Sequence, residues 1–307
     1  MKKSIIVIFT ICLSSIPCSS QILIDSITFG NTPYKARLSE DGLKIFVAGK
    51  DSTGTIWSIK GERLLTLKGH ESSVSSINYN LETNTILTGA YDNAAILWDM
   101  DGNIISKFVG HSKGIINIAQ TKNLIGTASR DKTAKIWDRN GQIKFTLEGH
   151  TNQLNSIDFI DEKKWIITSS WDGTIKIWNY NGELLNTLKG HDSGIRSVAI
   201  SEKSKIILAG HRDGKITFFD FDGKIINVIN AHEAMVSEIE FIHEVKYFIS
   251  CSADKSIKVW DSKGQLKKEL LGYHGWVASV SFAKGTLVSA SDSPENMVRI
   301  WRLDELD

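Results

Sequence analysis

The sequence contains little cysteine, little proline and no excess of charge of either sign. Its 307 residues include three cysteines and three prolines, and 36 basic side chains are balanced by 35 acidic ones. A net charge of +1 creates no global field that would attract nucleic acid, so we predict no nucleic-acid partner. With 41% hydrophobic and 23% charged residues, the chain has the composition of a folded protein with a sizeable core.

Long hydrophobic runs are also missing, apart from one near the N-terminus. Lys2 and Lys3 precede the apolar run Ile5–Ile16, which is too short to cross a bilayer core of roughly 30 Å as a helix. Small residues follow at 18–20, and this order is typical of a secretory signal peptide. We therefore predict a signal peptide over residues 1–20, a mature chain over 21–307, no stable membrane insertion, and export to a bacterial periplasm or cell exterior. Acylation of Cys18 is a weaker alternative, because the three residues before it match a lipobox poorly.

Removal of a signal peptide would leave Cys251 as the last cysteine, since Cys12 and Cys18 precede the predicted cleavage site. No disulfide framework can then form, although export would permit one. Cys251 ends a short apolar run over 247–251 that is typical of a buried strand. We expect it to be a small buried apolar residue rather than a reactive thiol.

One aromatic position recurs throughout the rest of the chain. At intervals of about 41 residues it is occupied by Trp57, Trp98, Trp137, Trp178, Phe219, Trp260 and Trp301. Most of these residues are followed by aspartate or asparagine. A histidine recurs in step with them, often after glycine, at His70, His111, His150, His191, His232 and His274.

These Gly-His and Trp-Asp signatures resemble the WD-repeat family over essentially all of residues 21–307. The resemblance implies an all-β fold, a seven-bladed β-propeller with several strands in each blade. Short β-rich runs such as 85–88 and 95–98 are separated by polar turns, as such strands require. Asp-Gly or Asn-Gly pairs after most of the aromatic residues favour tight hairpins.

The last repeat is incomplete, because the residues after Trp301 are too few for a turn and another strand. The surplus lies at the other end, where residues 21–29 read like the outer strand at 183–188. We predict that Ile22 to Phe29 pairs with the last blade and closes the ring. Closure removes the unpaired strand edges that an open propeller would expose.

Recurrent aspartates accompany the histidines, six residues before each blade aromatic. In the family that the chain resembles, such a histidine and aspartate form a hydrogen-bonded network with a hydroxyl and the indole. A structural role is therefore expected for them, since a catalytic site needs one asymmetric constellation. Phe219 has no N–H, which predicts a shorter network in blade five, and the aspartate of blade seven cannot be assigned by spacing. The aspartates are Asp51, Asp92, Asp131, Asp172, Asp213 and Asp254, and the candidate hydroxyls are Thr88, Thr127, Thr168 and Ser250.

Motifs of enzymes are missing as well. The sequence has no phosphate-binding glycine loop, no metal-binding histidine or cysteine cluster and no Gly-x-Ser-x-Gly elbow. We therefore predict a protein that is not an enzyme and that needs no cofactor and no metal.

Candidate partner-binding residues follow from the resemblance, because the residue before each aspartate is a frequent contact position on the top face of such propellers. Large aromatic or cationic side chains, types common at binding hot spots, occupy most of these positions. The set is Lys50, Tyr91, Arg130, Trp171 and Arg212, with Ala253 as the small member. A second ring around the channel contains Ser73, Ser75, Gln153, Asn155, Arg196, Met235, Ser237 and Trp276.

The predicted function is a scaffold, monomeric or part of a larger complex, that binds a protein or peptide with acidic or planar groups. Arg130, Arg196 and Arg212 would bind the acidic groups, with Trp171 and Tyr91 as anchors. Two alternatives remain open at the level of the sequence. One is a carbohydrate or small-ligand binder with stacking aromatic residues, and the other is an enzyme with an asymmetric site over the central channel.

Overall fold

A computed structural model describes residues 22–242 and 246–303 of the chain. This part contains 28 β-strands and no helix. The strands form seven antiparallel sheets of four strands each, so the predicted all-β, seven-bladed propeller is confirmed. The predicted signal peptide over 1–20 lies outside the described residues. No helix in the described part is long and apolar enough to cross a membrane.

The strands follow one another blade by blade, except that the first strand of the chain belongs to the last blade. That strand is β1 (Ile22–Thr28). Blades one to three contain β2 (Pro33–Leu38), β3 (Lys44–Gly49), β4 (Thr53–Ser58), β5 (Arg63–Lys68), β6 (Val74–Asn80), β7 (Thr85–Ala90), β8 (Ala94–Trp98), β9 (Ile104–Val109), β10 (Ile115–Gln120), β11 (Leu124–Ser129), β12 (Ala134–Asp138) and β13 (Ile143–Leu147). Blades four to six contain β14 (Leu154–Ile160), β15 (Trp165–Ser170), β16 (Thr174–Asn179), β17 (Leu184–Lys189), β18 (Ile195–Ser201), β19 (Ile206–His211), β20 (Lys215–Asp220), β21 (Ile225–Asn230), β22 (Val236–Ile242), β23 (Tyr247–Ser252), β24 (Ile257–Asp261) and β25 (Leu266–Leu270). Blade seven adds β26 (Val277–Ala283), β27 (Thr286–Ser291) and β28 (Met297–Arg302).

Tight hairpins join the third and fourth strands of the blades, as the Asp-Gly and Asn-Gly pairs predict. Gly102 adopts a φ of 87° between β8 and β9, a left-handed conformation that favours glycine. Asp99 stabilises this hairpin because its Oδ1 accepts the N–H groups of Asp101 and Asn103 at 3.0 and 2.8 Å. The aspartate after the blade tryptophan therefore has a local structural task.

The core consists of apolar layers between neighbouring blades. Phe46 and Ile56 of blade one, for example, pack in one cluster with Ile77, Ile86 and Trp98 of blade two. Strands in the middle of a blade are buried on both faces, and for this reason β7 is buried at every position. Cys251 lies on such a strand, β23, with 0% exposure, as predicted. Burial raises the pKa of its thiol well above the usual value.

The ring closes through the N-terminal strand. β1 pairs antiparallel with β28, from Ile22 opposite Arg302 to Thr28 opposite Met297. The regular pairing ends at Thr28, one residue earlier than predicted, although Phe29 N–H still donates to Asn296 O at 2.8 Å. Blade one packs directly on this completed blade, since Ala36 and Val47 share a cluster with Ile27, Val288 and Ile300. The predicted closure is confirmed.

Candidate functional site

Four pairs of the recurrent histidines and aspartates lie inside the blades. Asp51 of blade one departs from the prediction, because it is exposed and its carboxylate accepts the N–H and the hydroxyl of Thr53 instead of a histidine. In blades two, three, four and six the histidine Nδ1 is 2.7–2.8 Å from the aspartate. Its Nε2 is 2.7–2.9 Å from a hydroxyl, which also accepts the indole N–H at 2.8–2.9 Å. The four sets are His70, Thr88, Asp92 and Trp98; His111, Thr127, Asp131 and Trp137; His150, Thr168, Asp172 and Trp178; and His232, Ser250, Asp254 and Trp260.

Three aspartates of these networks are held in their ionised form. Burial opposes ionisation of Asp131, Asp172 and Asp254, but hydrogen bonds from the neighbouring histidine and hydroxyl outweigh it and place each pKa well below the usual value. Every polar atom of the network has a partner, so these groups are satisfied structural residues. The predicted structural role is confirmed by this geometry.

Blade five departs from the pattern, as Phe219 predicts. Ala209 stands where the four blades with the complete histidine network have the hydroxyl, and His191 Nδ1 is 3.7 Å from Asp213 Oδ2. His191 Nε2 is buried without a partner among the described residues. His211 fills the space with its ring centroid 3.9 Å from that of His191. Burial, followed by the charge of His191, lowers the pKa of His211 to about 4, so this imidazole is neutral at neutral pH.

Blade seven corrects one prediction. His274 is exposed and its side chain takes no part in a network, because the position next to the blade tryptophan is taken by the preceding residue, Tyr273. The Tyr273 hydroxyl is 2.6 Å from Ser289 Oγ and accepts the N–H of Trp301 at 2.9 Å. A phenol thus bridges the hydroxyl and the indole, and blade seven keeps a complete but different network.

The predicted partner-binding residues before each aspartate lie together in the turns between the second and third strands. We call the surface formed by these turns the top face. Each of their N–H groups donates, at 3.0–3.1 Å, to the carbonyl of the residue directly before an innermost strand; the donors are Lys50, Tyr91, Arg130, Trp171, Arg212 and Ala253. Asp292 makes the same bond to Trp276 O at 3.0 Å. Asp292 is therefore the seventh member, which spacing could not find because residues 293–296 lengthen the turn.

Two arginine–aromatic pairs stand on the top face, each between neighbouring blades. The Arg130 guanidinium lies 4.4 Å from the ring centre of Tyr91, and that of Arg212 lies 4.9 Å from Trp171. Both arginines are exposed, while both aromatic rings are partly buried. Such stacking holds a guanidinium in place while its N–H groups remain available to a carboxylate. An open cavity beside Arg212 is lined by residues 191–194, Arg212 and Asp213.

The second predicted ring surrounds the mouth of the channel, but several of its members are engaged within the protein. Asn155 is 1% exposed and donates to Ile195 O at 2.7 Å, while Ser75 donates to Ile115 O at 2.6 Å. Trp276 donates its indole N–H to Ser237. These bonds join one blade to the next. Gln153, partly buried, donates to Asn155, and Met235 contributes its backbone carbonyl to the bond with Ala253.

Charged side chains that sequence reasoning missed line the central channel, a cavity of about 420 Å³. Arg37 of blade one pairs with Glu238 and, at 3.4 Å, with Glu240 of blade six. Lys35 lies 3.4 Å from Glu238. Burial raises the pKa of Glu240 to about 7 and lowers that of Lys35 to about 8. Strand alternation could have placed them on one face, but only the closed ring brings the two blades together.

The same channel ion pairs also bind the backbone of β26, the innermost strand of blade seven, which lies between blades six and one. Arg37 donates to Val280 O, Glu238 accepts Val280 N–H at 3.2 Å, and Glu240 accepts Phe282 N–H at 2.9 Å. β26 of the closing blade is thus held from both sides. Within the described residues no group of three or more histidine, cysteine, aspartate or glutamate side chains could hold a metal ion.

The comparison with protein families finds one model, described as "WD domain, G-beta repeat". It matches residues 61–99, 102–138, 141–179, 182–220 and 223–261, which together make up more than half of the chain. Each match begins just before the outer strand of one blade and ends at the third strand of the next, or one residue after it. The family's repeat therefore straddles two blades, in agreement with the N-terminal strand that completes blade seven.

Similar curated proteins include eukaryotic translation initiation factor 3 subunit I of several organisms. The Xenopus laevis protein is 36% identical over 66 residues, 21% of this chain and 20% of that protein. The Nematostella vectensis protein is 39% identical over 61 residues, 20% of this chain and 19% of that protein. The Eremothecium gossypii protein is 36% identical over 72 residues, 23% of this chain and 21% of that protein. The similarity thus spans about a fifth of the length of these curated relatives.

Proposed function

Since this chain belongs to the WD-repeat family of β-propellers, we propose that it is a non-enzymatic scaffold which holds a protein or peptide partner on its top face. The observation that carries the proposal is the pair of exposed guanidinium groups, Arg130 and Arg212, each stacked on an aromatic ring of the neighbouring blade. Fold alone does not determine function, so the argument depends on these side chains.

The stacked arginines favour an acidic partner. A guanidinium that is already positioned loses little conformational freedom when it forms a bidentate bond with a carboxylate. Tryptophan, tyrosine and arginine side chains are enriched at the energetic centres of protein interfaces. Arg130 and Arg212 lie two blades apart, so an extended acidic segment across the channel mouth could contact both.

The carbohydrate alternative loses support at the same residues. A sugar needs an open aromatic face, whereas guanidinium groups cover the rings of Tyr91 and Trp171, and the indole N–H of Trp276 is already bonded to Ser237. A protein partner fits these occupied faces better. Membership in a larger complex is part of the proposal, and it is supported by relatives whose printed name is that of a subunit.

A location outside the cytoplasm is also part of the proposal. It rests on the N-terminal sequence, in which Lys2 and Lys3 precede the apolar run Ile5–Ile16. Fractionation of the native cells, with N-terminal sequencing of the recovered protein, tests it. An exported chain that begins near Gln21 is expected, and recovery of the uncut chain from the cytoplasm would contradict it.

The test of the scaffold function is affinity capture from the native cell envelope, followed by identification of the captured protein. The double variant Trp171→Ala, Arg212→Ala should lose the partner while its circular dichroism and unfolding midpoint stay close to those of the parent. Arg63→Ala is the matched control, because Arg63 also lies near an indole, that of Trp57 at 5.8 Å, but on the outer strand β5. Unchanged capture by the double variant would remove the top face from consideration.

A further inference from the structure

Each innermost strand of the propeller contains a β-bulge at the same place. The pairing register shifts between the first and third residues of β2, β6, β10, β14, β18, β22 and β26. A bulge leaves one residue out of the ladder and redirects its side chain. The seven bulge residues are Tyr34, Ser75, Ile116, Asn155, Arg196, Ser237 and Ala278, and all seven line the channel cavity.

Arg196 is the charged member of this ring, and it differs from its neighbours in having no protein partner. Ser75 and Asn155 donate to carbonyl groups of the next blade, whereas Arg196 makes no hydrogen bond and no ion pair with any residue in 22–242 or 246–303. The charge of Glu238 acts to raise the pKa of Arg196, but both carboxylates of β22 are already bonded to Arg37. The cations whose charge acts on Asp158 are Lys35 and Arg37, so Asp158 is not the counter-ion of Arg196 either.

An unpaired guanidinium in a channel is costly, because the protein walls remove water without supplying acceptors. Burial accordingly lowers the pKa of Arg196. The position is nevertheless reachable, since the side chain is only partly buried and borders the cavity of about 420 Å³. A bound anion would supply the missing acceptors.

We propose that Arg196 is the site where a single carboxylate of the partner peptide enters the channel. This proposal rests on the proposed function. The guanidinium offers a bidentate fork that matches a carboxylate in size and geometry. A dianion such as a phosphate fits less well, because Asp158, Glu238 and Glu240 line the same cavity and would repel the second charge. Either an aspartate or glutamate side chain or a C-terminal carboxylate has the required chemistry.

Titration of the full chain with short peptides tests this site. The probes are acetyl-Gly-Glu-Gly-amide, with a side-chain carboxylate, acetyl-Gly-Gly-Gly with a free C-terminus, and acetyl-Gly-Gln-Gly-amide without a carboxylate. The readout is the NMR signal of the Arg196 Nε–H group. A saturable shift is expected with one or both carboxylate probes and not with the glutamine probe, and the probe that binds identifies the source of the carboxylate.

Two variants make the test specific. Arg196→Gln should weaken binding at least tenfold, whereas Arg63→Gln, on the outer strand β5, should leave it unchanged. A wild-type protein whose Arg196 signal does not respond to either carboxylate probe would overturn the proposal, even if Arg196→Gln failed to fold. Equal binding by Arg196→Gln, followed through backbone signals of β18, would also overturn it.

The outcomes separate this proposal from the scaffold function. If the Trp171→Ala, Arg212→Ala variant loses the partner but no carboxylate probe binds at Arg196, the scaffold function stands and the carboxylate site is wrong. If the probes bind at Arg196 but capture is unaffected by the double variant, the carboxylate site stands and the proposed binding of the partner at Trp171 and Arg212 is wrong.

Discussion

Replacement of Thr168 by valine removes the centre of the network in blade four without a large change in side-chain volume. Asp172 accepts the Nδ1–H of His150, which leaves Nε2 as an acceptor, so the Thr168 hydroxyl donates to Nε2 at 2.9 Å and accepts the indole N–H of Trp178 at 2.9 Å. Valine would leave both nitrogen atoms buried and unsatisfied. Each such group costs about 1–3 kcal/mol, so we expect a loss of about 2–6 kcal/mol for the two.

This loss is large compared with a total stability of about 5–15 kcal/mol. Urea unfolding followed by tryptophan fluorescence should show a clear decrease of the midpoint, and hydrogen exchange should show the earliest opening at β15 and β16. Thr168→Ser keeps the hydroxyl and should cost less than Thr168→Val. Thr217→Val is the matched control in blade five, because its hydroxyl has one nitrogen partner, His211 Nε2 at 2.9 Å, and should cost about half as much.

The reasoning would be refuted by a Thr168→Val protein whose stability lies within about 0.5 kcal/mol of the parent, the range of an ordinary surface substitution. An equal loss of stability in Thr217→Val and Thr168→Val would also contradict it, because the loss would then not depend on how many nitrogen atoms are left without a hydrogen-bond partner.

Three further predictions concern pH, ring closure and the channel. The pKa of His211 is lowered from 6.5 to about 4, so its contribution to stability is complete above pH 6.5 and is lost as the pH falls towards 4. About 3 kcal/mol should disappear in this window. His211→Ser, which introduces the residue found in neighbouring blades, should lose about 3 kcal/mol less between pH 6.5 and 4 than the parent in urea unfolding, and an equal loss in both proteins would contradict this. Because the backbone of β1 is paired with one strand, β28, at the point where the ring closes, hydrogen exchange should be fastest in blade seven, and uniform protection of all blades would disprove this. Glu238→Gln should weaken the hydrogen bonds that hold β26 and further accelerate hydrogen exchange in blade seven. Glu233→Gln, in an exposed loop, is the control. Equal exchange in both variants would show that the channel ion pair does not hold the closing blade.

Much of the fold could be predicted from the sequence because the repeated residues act within a blade. The period of Trp98, Trp137 and Trp178 predicted the blades, and the short segment after Trp301 predicted closure by the N-terminal strand. Both inferences use only the order of residues along the chain and the need to pair every strand edge. The shorter network at Phe219 followed in the same way from a missing N–H group.

The seventh blade shows where this reasoning stops. His274 keeps the spacing of the other histidines, yet Tyr273 makes the network, since a phenol one residue earlier reaches the same hydroxyl and indole. Asp292 likewise completes the top face after a lengthened turn. Sequence spacing describes residues in a regular strand or hairpin, whereas an insertion is accommodated by the three-dimensional contacts around it.

The sequence by itself determined the number of blades, the structural role of the recurrent histidines and aspartates, and the positions before each aspartate that share one face. Only the tertiary structure decided which of those side chains are available, because neighbours in the ring are far apart in the chain. Arg130 meets Tyr91 and Arg212 meets Trp171 across blade boundaries, and Arg37 meets Glu238 across the closure. Arg196 remains without a protein partner in the described channel for the same physical reason. The geometry of the closed ring decides which charged side chains meet, and the local sequence pattern does not contain that geometry.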